Sequence, residues 1–224
     1  MTERKCISGD SHIVEPPEVF EGLYEKFGEK APRIVEDPER GHLLQVGART
    51  SLVGRFGIAG NRLDDPKTQE LMNQGYAGLR KGVFDPAERL KDQDIDGVDY
   101  EVVYPSMCMA VFGIDDPRIV SAAFSRYNGW LSEYCGHAPK RLGGLACINL
   151  HDIKEAVQEL ERAAKQGFVG VSAACTAPRD RPYSDTAYDP FWRAAEETGM
   201  PVTMHIFTGT IPGMDLPESW DPIQ

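Results

Sequence analysis

The sequence has few of the features that mark secreted, membrane-spanning or nucleic-acid-binding proteins. Its five cysteines form no CxxC pair, which argues against a cysteine-based zinc site and predicts reduced, buried thiols. There is no apolar run of about 18 residues and no cleavable signal, so we expect a cytoplasmic protein without a membrane span. The chain has 24 Lys and Arg residues and 35 Asp and Glu residues, and the resulting net charge of −11 argues against a general nucleic-acid binder. The cysteines are Cys6, Cys108, Cys135, Cys147 and Cys175.

Glycine-rich phosphate loops are also absent, since neither GxGxxG nor GxxxxGK[ST] follows any strand-like segment. What is present is a hydrophobic content of 41% and, from residue 85 onward, a regular alternation of strand-like and helix-like segments. Short, nearly all-apolar strands between helices indicate a buried parallel sheet with helices outside it. An open doubly wound sheet and a (β/α)8 barrel both fit this pattern. The strands are predicted at residues 5–12, 99–104, 143–149, 169–175 and 201–205.

The segment before this alternation is more irregular. Residues 31–63 carry many Gly, Arg and Asp residues and contain the β-like pieces "HLLQVGA" and "TSLVG". We interpret them as a hairpin-containing insertion within one domain that covers residues 1–224. The stretch 211–224, "IPGMDLPESWDPIQ", is typical of a loop cut short rather than of a finished terminus.

Reactive side chains stand at the ends of two predicted strands. Asp10 and His12 end the first strand two residues apart, so their side chains point to the same face. His205 ends the fifth strand. The carboxyl ends of parallel barrel strands share one face, and one carboxylate with two imidazoles suits Zn²⁺, Mn²⁺ or Fe²⁺. A turn-capping aspartate and core histidines would give the same letters.

Five blocks follow one another in a recognisable order: "GDSHIVEPPEVF", "DPAERLKDQDIDGVDYEVVYPS", "YNGWLSEYCGHAPKRLGGLACINLHD", "AAKQGFVGVSA" and "YDPFWRAAEETGMPVTMH". With them the chain resembles the amidohydrolase-related family, in the branch that includes aminocarboxymuconate-semialdehyde decarboxylase and the γ-resorcylate and 5-carboxyvanillate decarboxylases. The resemblance implies a (β/α)8 TIM barrel of the metal-dependent hydrolase type. Only about the first five βα units are present, so the resemblance also implies a C-terminally truncated chain.

The resemblance implies one divalent metal ion, Zn²⁺ first and Mn²⁺ or Fe²⁺ as alternatives. Asp10 and His12 match the HxH-like pair of the family's first strand, with Asp10 in place of the first histidine, and His205 matches the ligand from strand five. A histidine for acid–base catalysis and an aspartate ligand would follow His205 in the family. We expect both beyond residue 224 and assign no catalytic residue within the chain.

The implied activity is that of a metal-dependent enzyme acting on a small aromatic or unsaturated carboxylic acid by non-oxidative decarboxylation. Metal-dependent hydrolysis of C–N, C–O or C–C bonds and an inactive barrel fragment are the alternatives. A Schiff-base aldolase needs a lysine at a strand end, and neither Lys140 nor Lys165 is placed there. The expected partners are a small carboxylate substrate and, by resemblance, a second copy in a homodimer.

Other polar residues have two interpretations. Arg49 and Arg55 are candidates for a bidentate bond to a substrate carboxylate, with Arg55 favoured, against the alternative of solvated loop arginines. Glu15 either supports the metal pair or is a polar residue where the strand ends. His151 is interpreted as a surface or capping residue, and His137 as a residue at a helix C-terminus.

Overall fold

The computed structural model describes residues 5–58, 60–62, 64–178 and 181–209, and the predicted terminal loop at 211–224 lies outside them. Its strands are β1 Ile7–His12, β2 Arg33–Asp37, β3 Gly41–Val46, β4 Arg49–Leu52, β5 Tyr100–Tyr104, β6 Leu142–Cys147, β7 Gly170–Ala174 and β8 Val202–His205. Its α-helices are α1 Leu23–Phe27, α2 Pro66–Met72, α3 Pro86–Asp96, α4 Pro117–Gly136, α5 Ile153–Gln166 and α6 Asp189–Thr198.

Five strands form one parallel sheet in the order β1-β5-β6-β7-β8. Each strand pairs with the next strand of that sheet along the chain. Every connection between two paired strands contains at least one helix. A doubly wound sheet would reverse its order at a switch point, whereas a (β/α)8 barrel keeps the sequential order seen here. The predicted fold class, a barrel represented by five βα units, is therefore confirmed, and the strand bounds agree within two residues.

Helices α3, α4 and α5 begin where an aspartate side chain satisfies free backbone N–H groups. Asp85, Asp116 and Asp152 accept hydrogen bonds from the first N–H groups of α3, α4 and α5. Gly97 ends α3 in the left-handed conformation, at φ 69°. Helix α6 begins at Asp189 and Pro190, and its N-cap residue Tyr188 makes no capping bond with its side chain.

A second, antiparallel sheet of order β2-β3-β4 lies in the connection between β1 and β5. It contains the predicted hairpin of β3 and β4, and β2 is a strand that the sequence reading missed. The sheet falls within residues 31–63, of which residues 59 and 63 lie outside the described part. That this segment is an insertion within one domain stays a prediction.

The core lies between the parallel sheet and its outer helices. All six residues of β6 are buried, and the buried face of α4 packs on that strand. Trp130 and Trp192 pack against this core. The thiols are all free, but Cys6 is exposed and Cys175 is half-buried, so the expectation of uniformly buried cysteines was wrong. Among the described residues, the helices are too short or too polar to cross a membrane.

Candidate metal centre

Asp10, His12 and His205 meet at the carboxyl ends of β1 and β8. The Nε2 atom of His12 lies 3.3 Å from Oδ1 of Asp10 and 3.3 Å from Nε2 of His205. The third separation, from His205 Nε2 to Asp10 Oδ1, is 3.7 Å. The chain thus brings together the three residues that the sequence singled out, from segments 193 positions apart.

Hydrogen bonds to backbone carbonyls fix the tautomers of both imidazoles. The Nδ1 atom of His12 lies 2.7 Å from the carbonyl oxygen of Pro105, and Nδ1 of His205 lies 2.7 Å from that of Ile206. A carbonyl oxygen only accepts, so each Nδ1 must donate its proton. In the neutral rings each Nε2 then carries a lone pair, and both lone pairs face the Asp10 carboxylate.

This donor set fits a divalent cation. Three electron-pair donors within 3.7 Å of one another repel unless a proton or a cation lies among them. Ligands bound at about 2.0–2.2 Å in a tetrahedral arrangement lie about 3.3–3.6 Å apart, which is close to the separations found. A backbone carbonyl on the second nitrogen of each ring is the usual support of a metal-binding histidine.

The surroundings of the cluster are partly dry. The side chains of His12 and His205 are 30% and 15% exposed, whereas that of Asp10 is 63% exposed. Burial lowers the pKa of His12 from its usual value, against the opposing effects of the Pro105 carbonyl and the Asp10 carboxylate. The ring of Tyr104 lies 5.8 Å from that of His12 and 5.4 Å from that of His205, between centroids.

The backbone near both histidines departs from regular structure. The register of β1 against β5 shifts between Ser8 and Ser11, and such irregularities re-aim side chains next to sites. After β8, Phe207 has a positive φ of 67°, a conformation that non-glycine residues rarely adopt. Thr208 is fully buried there, donating to the carbonyl of His205 at 2.5 Å and accepting from the N–H of Cys175 at 2.8 Å.

A buried ion pair supports the end of β1 from outside the sheet. Arg89 on α3 donates to Glu101 on β5 at 2.7 Å and to the carbonyl oxygen of His12 at 3.2 Å. The side chains of Arg89 and Glu101 are 13% and 9% exposed. The sequence analysis did not single out either residue. The signal for such a pair is Glu101, a charged residue inside the otherwise apolar strand "YEVVY", which indicates a buried partner.

A cavity of about 550 Å³ lies between the β2–β4 sheet and the segments that follow β5 and β8, and Asp10, His12 and His205 are not among its lining residues. Its wall includes Ser106, next to the Pro105 that binds His12, and Phe207, two residues after His205. Arg49 lines this cavity, whereas Arg55 lies on the short 3-10 helix Val53–Gly57. The apolar part of the wall comprises Leu44, Val46, Phe56, Met107, Met109, Ala110 and Ile114.

The two other histidines and the two lysines weighed in the sequence lie on other segments. His137 follows the last residue of α4, as expected, and the exposed His151 lines a separate cavity of about 300 Å³. Lys140 precedes β6 and Lys165 lies in α5, so neither stands at the carboxyl end of a strand. A larger cavity of about 990 Å³ lies between α1 and the start of α4, away from the cluster.

Comparison with known proteins gives partial matches. A gamma-resorcylate decarboxylase from Polaromonas sp. is 32% identical over 102 residues, which are 43% of this chain and 31% of the relative. A solved amidohydrolase from Mycobacterium avium subsp. paratuberculosis superposes with a TM-score of 0.68 at 21% identity, over 92% of this chain and 59% of the other. A 5-carboxyvanillate decarboxylase from Novosphingobium aromaticivorans, solved with bound manganese, gives 0.60 at 18% identity, over 94% and 53%.

These matches cover only part of each relative. The chain spans about half the length of the solved structures and about a third of the curated relative. At such identities the structural matches show the barrel fold alone. The family model described as Amidohydrolase matches residues 40–218, most of the sequence. With its sequential parallel sheet, the chain belongs to the amidohydrolase family.

Proposed function

We propose that this protein is a metal-dependent enzyme that acts on a small aromatic carboxylic acid by non-oxidative decarboxylation. The observation that carries the proposal is the convergence of one carboxylate oxygen and two imidazole lone pairs at the carboxyl ends of β1 and β8. Decarboxylation is favoured because curated relatives that are 30% and 32% identical over part of the chain, and several solved neighbours, are decarboxylases of aromatic acids.

Asp10, His12 and His205 would hold one divalent ion. Zn²⁺ was the first expectation from the sequence, and Mn²⁺ is supported by two solved neighbours that contain manganese. Oxygen and imidazole donors suit both ions, so the donor set does not choose between them. When bound, such an ion supplies Lewis-acid polarisation of a coordinated oxygen.

The chain's own residues supply binding and orientation. The apolar wall of the 550 Å³ cavity suits a flat ring, and the same wall carries two cationic side chains, Arg49 and Lys30, beside two carboxylates, Asp115 and Asp116. Loss of carbon dioxide also requires a proton at the ring carbon that loses the carboxylate. The histidine expected to deliver it, beyond residue 224, remains a prediction, as do the homodimer and the cytoplasmic location.

Hydrolysis is the second candidate function because the same three donors would serve it. The two reactions differ in their products, since only decarboxylation releases carbon dioxide from an aromatic acid. An inactive barrel fragment is the third alternative, and it would retain no bound metal.

The metal content of the purified 224-residue chain tests the proposal. We expect about one Zn or Mn per chain by inductively coupled plasma mass spectrometry, because three ligands give appreciable affinity. His205→Ala removes one of the three donors and should abolish retention. His137→Ala, at the end of α4, is the matched control and should leave the metal content unchanged. A parent chain without metal, or equal retention in both variants, would contradict the proposal.

A further inference from the structure

A fully buried carboxylate lies on the same segment as His12. Glu15 has no exposed surface, although it follows β1 by only three residues. Its two oxygens accept separate backbone hydrogen bonds, Oε2 from the N–H of Met107 at 2.9 Å and Oε1 from the N–H of Cys108 at 2.8 Å. A buried acid with both oxygens paired to backbone donors 92 and 93 residues away is a built contact rather than a polar residue leaving a strand.

These two N–H groups begin the 3-10 helix Met107–Gly113. The first N–H groups of a helix lack partners within it and need an acceptor from outside. Ser106 occupies the capping position but makes no capping bond with its side chain. Glu15 therefore replaces the missing local cap, and it determines where the turn from Pro105 to Cys108 lies.

The same turn carries the carbonyl that orients His12. Pro105, two residues before Met107, accepts the Nδ1 proton of His12 at 2.7 Å. The backbone of Glu15 is held in turn by Tyr76, because the Glu15 carbonyl oxygen accepts a hydrogen bond from the Tyr76 hydroxyl at 2.7 Å. Residues 12–15 and 105–108 thus form a closed loop of contacts, in which the Glu15 carboxylate fixes one end and the imidazole of His12 the other.

We propose that Glu15 is a positioning residue that holds the Pro105 carbonyl against Nδ1 of His12, so that the Nε2 lone pair faces Asp10 and His205. A carboxylate is required because both oxygens must accept. Glutamine has nearly the same shape, but its amide nitrogen would face an N–H donor. The metal consequence of this proposal rests on the proposed function, whereas its effect on the tautomer of His12 does not.

Burying the Glu15 carboxylate costs free energy, and its two backbone hydrogen bonds offset part of that cost. Burial raises the pKa of Glu15, while the N–H groups of Cys108 and Met107 oppose that rise. An apolar side chain of similar volume would leave both N–H groups buried without an acceptor. The two N–H bonds give the carboxylate a positional role that an apolar side chain could not fill.

The test is long-range ¹H–¹⁵N spectroscopy of the histidine-labelled 224-residue chain at a pH where its imidazoles are neutral. We expect His12 of the parent to carry its proton on Nδ1. In Glu15→Gln we expect a mixture of tautomers, because the Pro105 carbonyl is no longer fixed. Mn²⁺ affinity, measured by calorimetry, should fall about 10–100-fold, as is typical when a supporting partner of a metal ligand is lost.

Asp152→Ala is the matched control, since it removes a carboxylate that caps α5 without any link to His12. It should lower the melting temperature and leave the tautomer of His12 unchanged. If Glu15→Gln does not fold, Glu15→Asp, which keeps the charge and shortens the reach, takes its place. An Nε2 proton on His12 in the parent, or an unchanged tautomer in either folded Glu15 variant, overturns the inference. A parent that binds no Mn²⁺ overturns the proposed function alone.

Discussion

At the scale of single residues, carbonyl oxygens decide how the candidate site can react. Pro105 and Ile206 each accept an Nδ1 proton, which leaves the Nε2 atoms of His12 and His205 free to donate electron pairs. Arg49 and Arg55 differ in where the backbone places them. Arg49 begins β4 and lines the 550 Å³ cavity, while Arg55 lies on the following 3-10 helix.

On the proposed function, Arg49→Ala should weaken binding of an aromatic carboxylate by the metal-loaded chain about 10–100-fold, with 2,6-dihydroxybenzoate, the ligand of a solved neighbour, as the probe. A hydrogen bond to a charged group contributes about 1.5–3 kcal/mol, and each 1.4 kcal/mol is about tenfold in affinity. Isothermal titration calorimetry measures the change.

Arg55→Ala is the matched variant, because it removes the same charge from the neighbouring segment and tests the preference drawn from the sequence. We expect little change in it. A large loss in Arg55→Ala with none in Arg49→Ala would contradict this expectation and support Arg55, the residue favoured from the sequence, as the one that binds the carboxylate.

At the scale of elements, a buried ion pair between Arg89 and Glu101 joins α3 to the sheet. Arg89 pairs with Glu101 of β5 and also reaches the last carbonyl of β1, so one side chain joins three elements. A buried pair adds little to stability when both charges are present, but removing one partner leaves the other charge buried alone.

Arg89→Ala should therefore lower the free energy of unfolding by about 3–5 kcal/mol. Urea denaturation followed by circular dichroism gives the value. Lys91→Ala on the same helix breaks an exposed pair with Glu88 and should cost at most about 1 kcal/mol. Equal losses in the two variants would show that the buried pair has no special role.

At the scale of the whole molecule, the parallel sheet has two outer strands. Among the described residues, β1 pairs only with β5 and β8 only with β7. Ile7 on β1 is 62% exposed and Met204 on β8 is 42% exposed. Outer strands with exposed apolar residues offer free backbone groups and apolar surface to another chain.

We expect the 224-residue chain to self-associate as its concentration rises, and the double change of Ile7→Lys with Met204→Lys to suppress this, because charge on outer strands opposes pairing. Size-exclusion chromatography with light scattering measures the mass. Ile95→Lys is the control, since Ile95 is 76% exposed but lies on α3. A monomeric parent, or equal suppression by the control, would contradict the expectation.

The sequence by itself determined the parallel strands and the identity of the three converging side chains. These depend on local physics: apolar runs of strand length, and polar residues where strands end. Asp10 and His12 lie two residues apart on one strand, so their common face follows from the pleat of the chain. The short β2 was missed because "RIVED" lacks a distinct alternation of apolar and polar residues.

The tertiary structure alone decided the sequential strand order, the exposure of Cys6 and the placement of Arg49 in the cavity. It also decided that Pro105 and Glu15 meet His12 across the sheet, because backbone carbonyls and N–H groups are present at nearly every residue and carry no signature in the sequence. Such contacts depend on which segments the fold makes neighbours, and pairs about 90 residues apart become neighbours only when the parallel sheet has formed.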